Sequence, residues 1–239
     1  MRAALGWLVV LALLALGGWW ARDYVRRHPQ DVPWTTLDLA HPVGRFTPAK
    51  LAALGDDSPQ CRALLSAAGA GDIPAPPRRG VAGCGYDDGM RLAREGRNAA
   101  FAPAGLVTSC PVAAALLLFE RHVLQPAAQR HFGQPVAAVD HAGSYSCRRL
   151  YGRAEGPFSE HATADAVDII GVRLADGTRV SVLADWSAGG PKQAFLRDIR
   201  NGACRLFATT LSPDYNAAHA DHLHLDLARR GQIGWTTCR

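Results

Sequence analysis

The stretch of residues 169–183, IIGVRLADGTRVSVL, decides how the second half of this chain folds. Two β-type runs, residues 169–174 and 178–183, flank the pair Asp176-Gly177, and valine and leucine alternate with other residues in both runs. A D-G pair between alternating apolar residues is a strong signal for a two-residue β-hairpin. The sequence therefore predicts an antiparallel hairpin here.

Outward from the hairpin, helical patterns alternate with one further β-type run, at residues 135–139. Residues 110–124, CPVAAALLLFERHVL, are apolar on most faces, which predicts a buried core helix that ends or kinks at Pro126. A second helix is predicted over residues 191–201, before Gly202. The predicted class is α+β, a small antiparallel sheet with helices packed around it.

The first half of the chain carries weaker signals. Residues 47–55 and 58–69 predict two short helices, with Thr47 and Ser58 as N-caps and proline at the first helical position. Residues 71–89 are rich in Pro and Gly, which predicts an irregular segment held by Cys61 or Cys84. We expect three parts: an N-terminal membrane or signal segment at residues 1–27, a linker at 28–46 and one folded domain at 47–239.

The N-terminal segment contains an uncharged run of 19 residues, 3–21. At about 1.5 Å per residue this run nearly spans a hydrocarbon core of about 30 Å. Trp19 and Trp20 lie where an interfacial aromatic belt is expected, and no convincing A-x-A cleavage site follows. The pattern favours a retained anchor over a cleaved signal peptide, which remains the alternative.

Six cysteines, none in a C-x-x-C pair, lie beyond this segment. Scattered cysteines in even number behind an export signal are typical of disulfides in an extracytoplasmic domain, although six cysteines allow fifteen pairings. Arg22, Arg26 and Arg27 favour the opposite orientation, because basic residues next to a span prefer the cytoplasm. We expect an inner-membrane-anchored domain facing the periplasm.

The charge distribution excludes nucleic acid as a partner. The chain has 26 basic and 21 acidic residues, a net charge of +5. Residues 1–27 hold four Arg and one Asp, so the rest of the chain carries only about two excess positive charges. No Lys/Arg cluster is interleaved with aromatic residues, as a polyanion-binding surface requires.

Two segments carry chemistry: residues 159–168, SEHATADAVD, and residues 219–226, HADHLHLD. Two imidazoles and one carboxylate form a common catalytic zinc set, which leaves a fourth tetrahedral position open. His222 and His224 are two residues apart, so on a strand both side chains point to one face. The two segments therefore predict a metal site.

The pattern Ser159-x-His161-x-x-Ala164-x-Ala166-x-Asp168, followed by His222-x-His224, resembles that of the lysostaphin, D-Ala-D-Ala metallopeptidase and hedgehog (LAS) group. More closely, four stretches resemble the bacterial extensin-like C-terminal domain family over residues 36–239: SYSCR, SEHATADAVDI, FLRDIRNGACRLF and LSPDYNAAHADHLHLDL. The resemblance implies a LAS-like core with one zinc ion per chain, bound by His161, Asp168 and His224.

The resemblance also implies catalytic candidates. His222 would lie next to the zinc-bound water, and His219 matches an additional histidine of H-x-x-H-x-H peptidases. Asp221 stands where related peptidases have a Glu, so either His222 or the shorter Asp221 could be the base. Ala164 replaces a usual Gly, which we expect to require a negative φ.

For substrate binding, the resemblance implies that Arg148 holds a terminal carboxylate, which a guanidinium can bind through two parallel hydrogen bonds. Tyr145 is a weaker candidate for substrate contact, as are Glu160 and Tyr215. The expected function is a zinc peptidase or amidase acting on peptidoglycan stem peptides, of the D,D-carboxypeptidase or endopeptidase type. The alternatives are a non-catalytic zinc-binding envelope module and a structural disulfide-rich protein.

Overall fold

The computed structural model describes residues 2–228 and 236–239. Within these residues, seven α-helices are formed: α1 (Arg2–Arg27), α2 (Thr47–Ala53), α3 (Ser58–Ala67), α4 (Cys110–Phe119), α5 (Gln125–Phe132), α6 (Val182–Asp185) and α7 (Gly190–Ala203). A π-helical turn, Glu120–Leu124, joins α4 to α5.

The described strands belong to three sheets. Two small sheets consist of β1 (Ile73–Pro74), β4 (Met90–Arg91) and β6 (Val107–Thr108), and of β2 (Arg78–Arg79) and β3 (Gly85–Tyr86). The large sheet has seven strands: β5 (Ala100–Ala102), β7 (Val136–Gly143), β8 (Ala166–Leu174), β9 (Arg179–Ser181), β10 (Thr209–Leu211), β11 (Leu223–Asp226) and β12 (Thr237–Cys238).

The large sheet confirms the α+β class but is bigger than predicted and mixed in direction. Its order is β12-β10-β11-β8-β7-β5, and β9 also pairs with β8. The central pairs are antiparallel, whereas β5 with β7 and β10 with β12 are parallel. These strands can pair in parallel because a long stretch of chain separates β5 from β7 and β10 from β12. A local sequence pattern does not reveal such pairings.

The predicted hairpin is confirmed, with β8 and β9 antiparallel around Asp176-Gly177. Its second strand is shorter than predicted. The strand ends at Ser181, whose side chain accepts from the Ala184 amide and caps α6, so Val182 begins a helix instead of continuing the strand.

The predicted core helix is also confirmed, since every residue of α4 is buried. Of the two predicted alternatives at Pro126, an end of the helix is wrong: the chain stays helical to Phe132, and Gly133 then adopts the left-handed conformation. The regular α-helix is nevertheless interrupted just before Pro126, by the π-helical turn. In the π-helical turn the Gln125 amide donates to the Glu120 carbonyl. Proline then falls in the first turn of α5, where its missing donor costs little.

The two early helices are confirmed, but their predicted N-caps, Thr47 and Ser58, are the first helical residues. The capping positions are Phe46 and Asp57, and the Asp57 carboxylate accepts from the Gln60 amide. The helix predicted over residues 191–201 is α7, which extends one residue earlier and two later.

Three disulfides link elements that are distant in sequence: α3 to α4, two loops to each other, and the end of α7 to β12. They join Cys61 to Cys110, Cys84 to Cys147, and Cys204 to Cys238. The prediction of oxidised cysteines is confirmed. Of the two cysteines proposed to hold the segment 71–89, it is Cys84 that does so, by tying the segment to the loop that follows β7.

The N-terminal helix α1 is long and apolar enough to cross a membrane, and it lies wholly outside the folded core. A helix of this kind at an N-terminus serves either as an anchor or as a signal sequence. Residues 28–46, predicted as a linker without periodicity, contain only a short 3-10 turn, Pro29–Asp31. Three of their apolar side chains nevertheless pack into the domain: Val32, Leu37 and Leu39.

Candidate metal centre and histidine cleft

Two neighbouring strands and one short turn bring the predicted metal ligands together. Asp168 in β8 and His224 in β11 are direct cross-strand partners. His161 lies in the 3-10 turn Glu160–Thr163, whose first amides are capped by Ser159. All three side chains are buried, so a charge placed among them is poorly screened by water.

The ligand atoms converge at distances that suit a small metal ion. The Nε2 atom of His161 is 3.2 Å from both the Oδ1 atom of Asp168 and the Nδ1 atom of His224. The His224 Nδ1 atom is 2.9 Å from the Asp168 Oδ1 atom. Tetrahedral zinc with bonds of about 2.0–2.2 Å separates its ligand atoms by about 3.3–3.6 Å, a few tenths of an ångström more.

The outer nitrogen of each ring determines which nitrogen faces the centre. His161 Nδ1 lies 2.5 Å from the Ser144 carbonyl oxygen, which can only accept, so this nitrogen carries the hydrogen. His224 Nε2 lies 3.0 Å from the Asp226 carboxylate and donates to it in the same way. Both inner nitrogens of the neutral rings then present lone pairs to each other and to Asp168, an arrangement that requires a cation or a proton.

The electrostatics of the centre agree with this need for positive charge. Burial alone would raise the pKa of Asp168 and lower that of His224. The hydrogen bonds from His161 and His224 outweigh burial and hold the pKa of Asp168 well below its usual range. Hydrogen bonds to Asp168 and Asp226 raise the pKa of His224 to about 9. A proton on His224 offsets one of the two carboxylate charges that contact this ring, and a bound cation would take the place of that proton.

Asp226 was not among the predicted site residues. Its carboxylate is buried, accepts from His224 and also accepts from the Ala228 amide. A carboxylate behind a metal-binding histidine fixes the ring and raises its basicity. His224 and Asp226 are two residues apart, so on a strand their side chains point to the same face. Asp226 could therefore have been predicted from the sequence as a partner of His224.

His222 lies beside the centre, just before β11. Its Nε2 atom is 3.5 Å from the Asp168 Oδ1 atom, and its Nδ1 atom is 2.8 Å from the Asp221 Oδ1 atom. His222 and His224 thus both approach the Oδ1 atom of Asp168, although His222 lies just outside the strand on which the i, i+2 spacing was based. The Asp221 carboxylate is largely exposed and contacts His222. Asp221 therefore contacts the Nδ1 atom of His222, whereas Asp168 lies near the Nε2 atom of the same ring.

His219 completes a group of three histidines, with its ring centroid 5.1 Å from that of His222 and 6.0 Å from that of His224. Its Nδ1 atom is 2.7 Å from the Asn216 Oδ1 atom. Burial, together with the positive charges that His222 and His224 would carry, lowers the pKa of His219 to about 4. His219 is therefore neutral at pH 7.

These residues open onto a cleft of about 390 Å³, called here the histidine cleft. The lining combines histidines with aromatic and apolar side chains; it includes Arg148, Tyr151, Phe158, Tyr215, His219 and His222. Arg148, Glu160 and Tyr215, all candidates from the sequence, lie in this lining. The exposed Arg148 also lines a smaller pocket that reaches His161 and Asp168.

Tyr145, the other candidate for substrate contact, lies in the smaller pocket and not in the histidine cleft. Its ring packs edge-on against Tyr86 at 5.5 Å, and the Arg78 guanidinium lies over it at 4.3 Å from the centroid. The ring is therefore held by its neighbours, which is a structural reason for its presence.

The expectation that Ala164 has a negative φ is wrong. Its φ is +61°, in the left-handed region, directly after the turn that carries His161. Its carbonyl oxygen accepts from the Ser109 amide at 2.8 Å and from the Ser144 hydroxyl at 3.2 Å. These bonds hold the backbone in a conformation that costs a non-glycine residue about 1–2 kcal/mol.

We expect Ala164→Val to lower the free energy of unfolding by about 2 kcal/mol or more, because a β-branched residue is disfavoured at positive φ and this side chain has no room to grow. Ala164→Gly should stay within about 1 kcal/mol of the wild type, since relief of strain offsets the lost methyl group. Urea unfolding of both variants is the measurement. Equal stability of the valine variant would contradict the left-handed assignment.

Comparison with known proteins gives one family match. The family described as extensin-like protein C-terminus matches residues 59–239, which include all the residues of the metal centre and the histidine cleft. No curated protein and no solved structure matches the chain.

Proposed function

The chain belongs to the extensin-like protein C-terminus family, and from that premise we propose that it is a zinc-dependent peptidase or amidase acting on peptidoglycan stem peptides. One observation carries the proposal. The inner nitrogens of His161 and His224 and the carboxylate of Asp168 converge within 2.9–3.2 Å, and a further imidazole, His222, reaches the same carboxylate from the cleft side.

The donor set suits zinc because it combines two imidazole nitrogens with one carboxylate and each imidazole has a second hydrogen-bond partner. When bound, zinc supplies a Lewis acid for the scissile carbonyl and lowers the pKa of water towards about 7. Ser144 and Asp226 keep the two rings oriented for this task.

His222 is the proposed general base. Its Nδ1 atom donates to Asp221, so its Nε2 atom carries the lone pair and faces Asp168. When the His222 Nε2 atom takes a proton from the attacking water, the ring becomes an imidazolium, and the adjacent Asp221 carboxylate stabilises its charge. In this proposal Asp221 is a positioning residue for His222, and the contact between the two supports His222 over Asp221 as the base.

Arg148 is the proposed site for an anionic end of the peptide. It lines both the histidine cleft and the smaller pocket beside His161 and Asp168, so a carboxylate held there lies close to the reacting centre. A binding position for a terminal carboxylate favours the D,D-carboxypeptidase type. Two aromatic residues of the cleft lining, Phe158 and Tyr215, offer apolar contact to the rest of the ligand.

Arg148→Lys is expected to raise the KM for a stem peptide with a free carboxylate about tenfold, because lysine keeps the charge but loses the two parallel donors. Zinc content should not change, since Arg148 is not among the converging groups. Steady-state kinetics on the variant are compared with Arg205→Lys, an exposed arginine outside the cleft. A KM equal to the wild-type value would remove Arg148 from the site.

The proposed location is the cell envelope, with α1 anchoring the chain in the inner membrane and the domain in the periplasm. The three disulfides support this side of the membrane, because thiols stay reduced in the cytoplasm. The anchor is one reading of α1, whose length and composition also suit a signal sequence.

A non-catalytic zinc-binding module that recognises wall peptides is the second candidate. The position of Asp221 favours it: this residue stands where the resembling peptidases carry a Glu, and its carboxylate contacts His222. Hydrolysis of purified monomeric and cross-linked muropeptides, followed by mass spectrometry, separates the two. Zinc-loaded protein should cleave them and lose activity after chelation; zinc binding without cleavage of any muropeptide would support the module.

A further inference from the structure

Beside the exit of α1 lies a surface that the proposed peptidase function does not use. We propose that Trp34, together with Arg26, Arg27 and Arg45, forms a second membrane contact that inserts into the phospholipid headgroup layer. These four residues are called here the membrane collar. Trp34 is 78% exposed, the highest value among the large apolar side chains of the described domain residues.

Trp34 is exposed on a turn that is held firmly in place. The Thr35 hydroxyl, next to it, donates to the carbonyls of Pro29 and Val32. The Lys50 ammonium donates to the Pro29 carbonyl at 2.9 Å and to the Thr35 hydroxyl at 2.7 Å. These bonds fold the turn back to Pro29, two residues after the end of α1, so Trp34 is presented next to the helix exit.

The arginines of the collar lie on the two segments that meet at this turn. Arg26 and Arg27 form the last turn of α1 and are exposed, and the Arg27 Nε atom donates to the Asp23 carboxylate at 3.1 Å. Arg45 is brought there by its amide, which donates to the Asp31 carboxylate at 2.7 Å. Exposed guanidinium groups bind phosphate with paired hydrogen bonds, and tryptophan prefers the boundary between hydrocarbon and water. Their combination fits a lipid headgroup layer.

The length of α1 places the collar at the correct depth. Its 26 residues extend about 39 Å at 1.5 Å per residue. A bilayer is about 40–45 Å thick with its headgroups and has a hydrocarbon core of about 30 Å. When residues 3–21 fill the core, the last turn of α1 lies at the headgroup level, and Trp34 follows it by seven residues in a compact turn.

The consequence concerns how far the histidine cleft can move. A flexible segment of the length of residues 28–46 would give the domain a reach of about 24 Å. Here the segment is packed, since Val32, Leu37 and Leu39 are buried. With Trp34 as a second contact, the domain is fixed at the membrane surface and its substrates are restricted to wall peptides close to that surface. This restriction rests on the proposed function, whereas the lipid contact rests only on α1 being inserted.

The test measures the depth of Trp34 in a bilayer. The full chain is reconstituted in vesicles of phosphatidylcholine and phosphatidylglycerol that carry bromine either near the headgroups or deep in the acyl chains. Emission of the wild type minus that of Trp34→Phe reports Trp34 alone. Trp186→Phe is the matched control, because Trp186 is buried in the domain with its indole nitrogen bonded to Asp214.

We expect the Trp34 component to be quenched to about half or less by shallow bromine, weakly by deep bromine, and to be shielded from aqueous iodide. The Trp186 component should respond to neither bromine. A Trp34 component that iodide quenches and bromine does not would overturn the proposal. So would shielding from both, which indicates a protein partner or a second copy of the chain on this surface.

Bromine deep in the acyl chains should quench the tryptophans of α1 when this helix is inserted, so their signal reports insertion of α1 independently of Trp34. If the purified chain lacks α1, the anchor and the collar are both overturned, whereas the peptidase assay is unaffected. If α1 is inserted and Trp34 is not, the collar alone fails.

Discussion

His222→Ala is expected to keep nearly stoichiometric zinc while hydrolysis of muropeptides falls by about 10²–10⁴, the usual contribution of a positioned acid or base. Zinc is retained because the three converging donors, His161, Asp168 and His224, do not include His222. Hydrolysis falls because the Nε2 atom of His222, 3.5 Å from Asp168, is the proton acceptor proposed for the cleft.

Asp221→Asn tests the proposed division of roles. The amide oxygen still accepts from His222 but lacks the charge that stabilises the imidazolium, so we expect a loss of about tenfold. His41→Ala, at a partly exposed histidine distant in sequence from the site, is the matched control and should behave like the wild type. Zinc loss in His222→Ala would make His222 a ligand. Full activity in that variant would remove it as the base, and His219 would be tested next.

The parts of the fold that were predicted correctly depend on neighbours in sequence. The hairpin follows from Asp176-Gly177 and the alternation around it, and the burial of α4 follows from its uniformly apolar composition. In both cases the deciding residues lie within about fifteen positions of each other, which is the range over which periodicity is informative.

The parts that were missed depend on distant contacts. Glu120 directly follows the apolar residues of α4, and its carboxylate is buried and accepts from the amides of Asn98 and Ala99. The buried Arg97 guanidinium lies 4.0 Å from the Glu120 carboxylate and forms an ion pair with Asp72. Buried charges of this kind are stabilised only by partners that the fold supplies, so no local pattern predicts them.

The positive φ of Ala164 has a similar origin. The sequence shows only that alanine replaces a usual glycine, whereas the conformation depends on Ser109 and Ser144, which are distant in sequence. The packing of residues 28–46 also gave no signal, because its buried side chains follow neither a helical nor a strand period. Aperiodic composition is thus a weak indication of a flexible linker.

The candidate site was predicted more completely than the fold around it, because its ligand types and spacing are carried by two short segments. The resemblance named His161, Asp168 and His224, and the structure brings the three together. What it did not name was the outer support, the Ser144 carbonyl and Asp226. A carbonyl acceptor has no sequence signature, but the carboxylate two residues after His224 does.

The second prediction with a large expected effect concerns that support. His224→Ala should lose both zinc and hydrolysis, because it removes one of three ligands and leaves the buried Asp168 carboxylate without its closest partner. Asp226→Asn should raise the zinc dissociation constant about 10–100-fold and still bind zinc at saturation. The amide keeps an oxygen for His224 Nε2 but no longer raises the basicity of the ring.

Competition with a zinc indicator gives both affinities, and Asp87→Asn, an exposed carboxylate in the bend after β3, is the matched control. Circular dichroism of the metal-free variants shows whether zinc is lost because a ligand is missing or because the domain has unfolded. We expect the spectrum of the wild type, because the three disulfides and the buried α4 stabilise the domain without the metal. Unchanged zinc affinity in Asp226→Asn would mean that Asp226 only caps the Ala228 amide. Unchanged affinity in His224→Ala would place the metal elsewhere, and the proposed zinc chemistry would lose the geometry on which it depends.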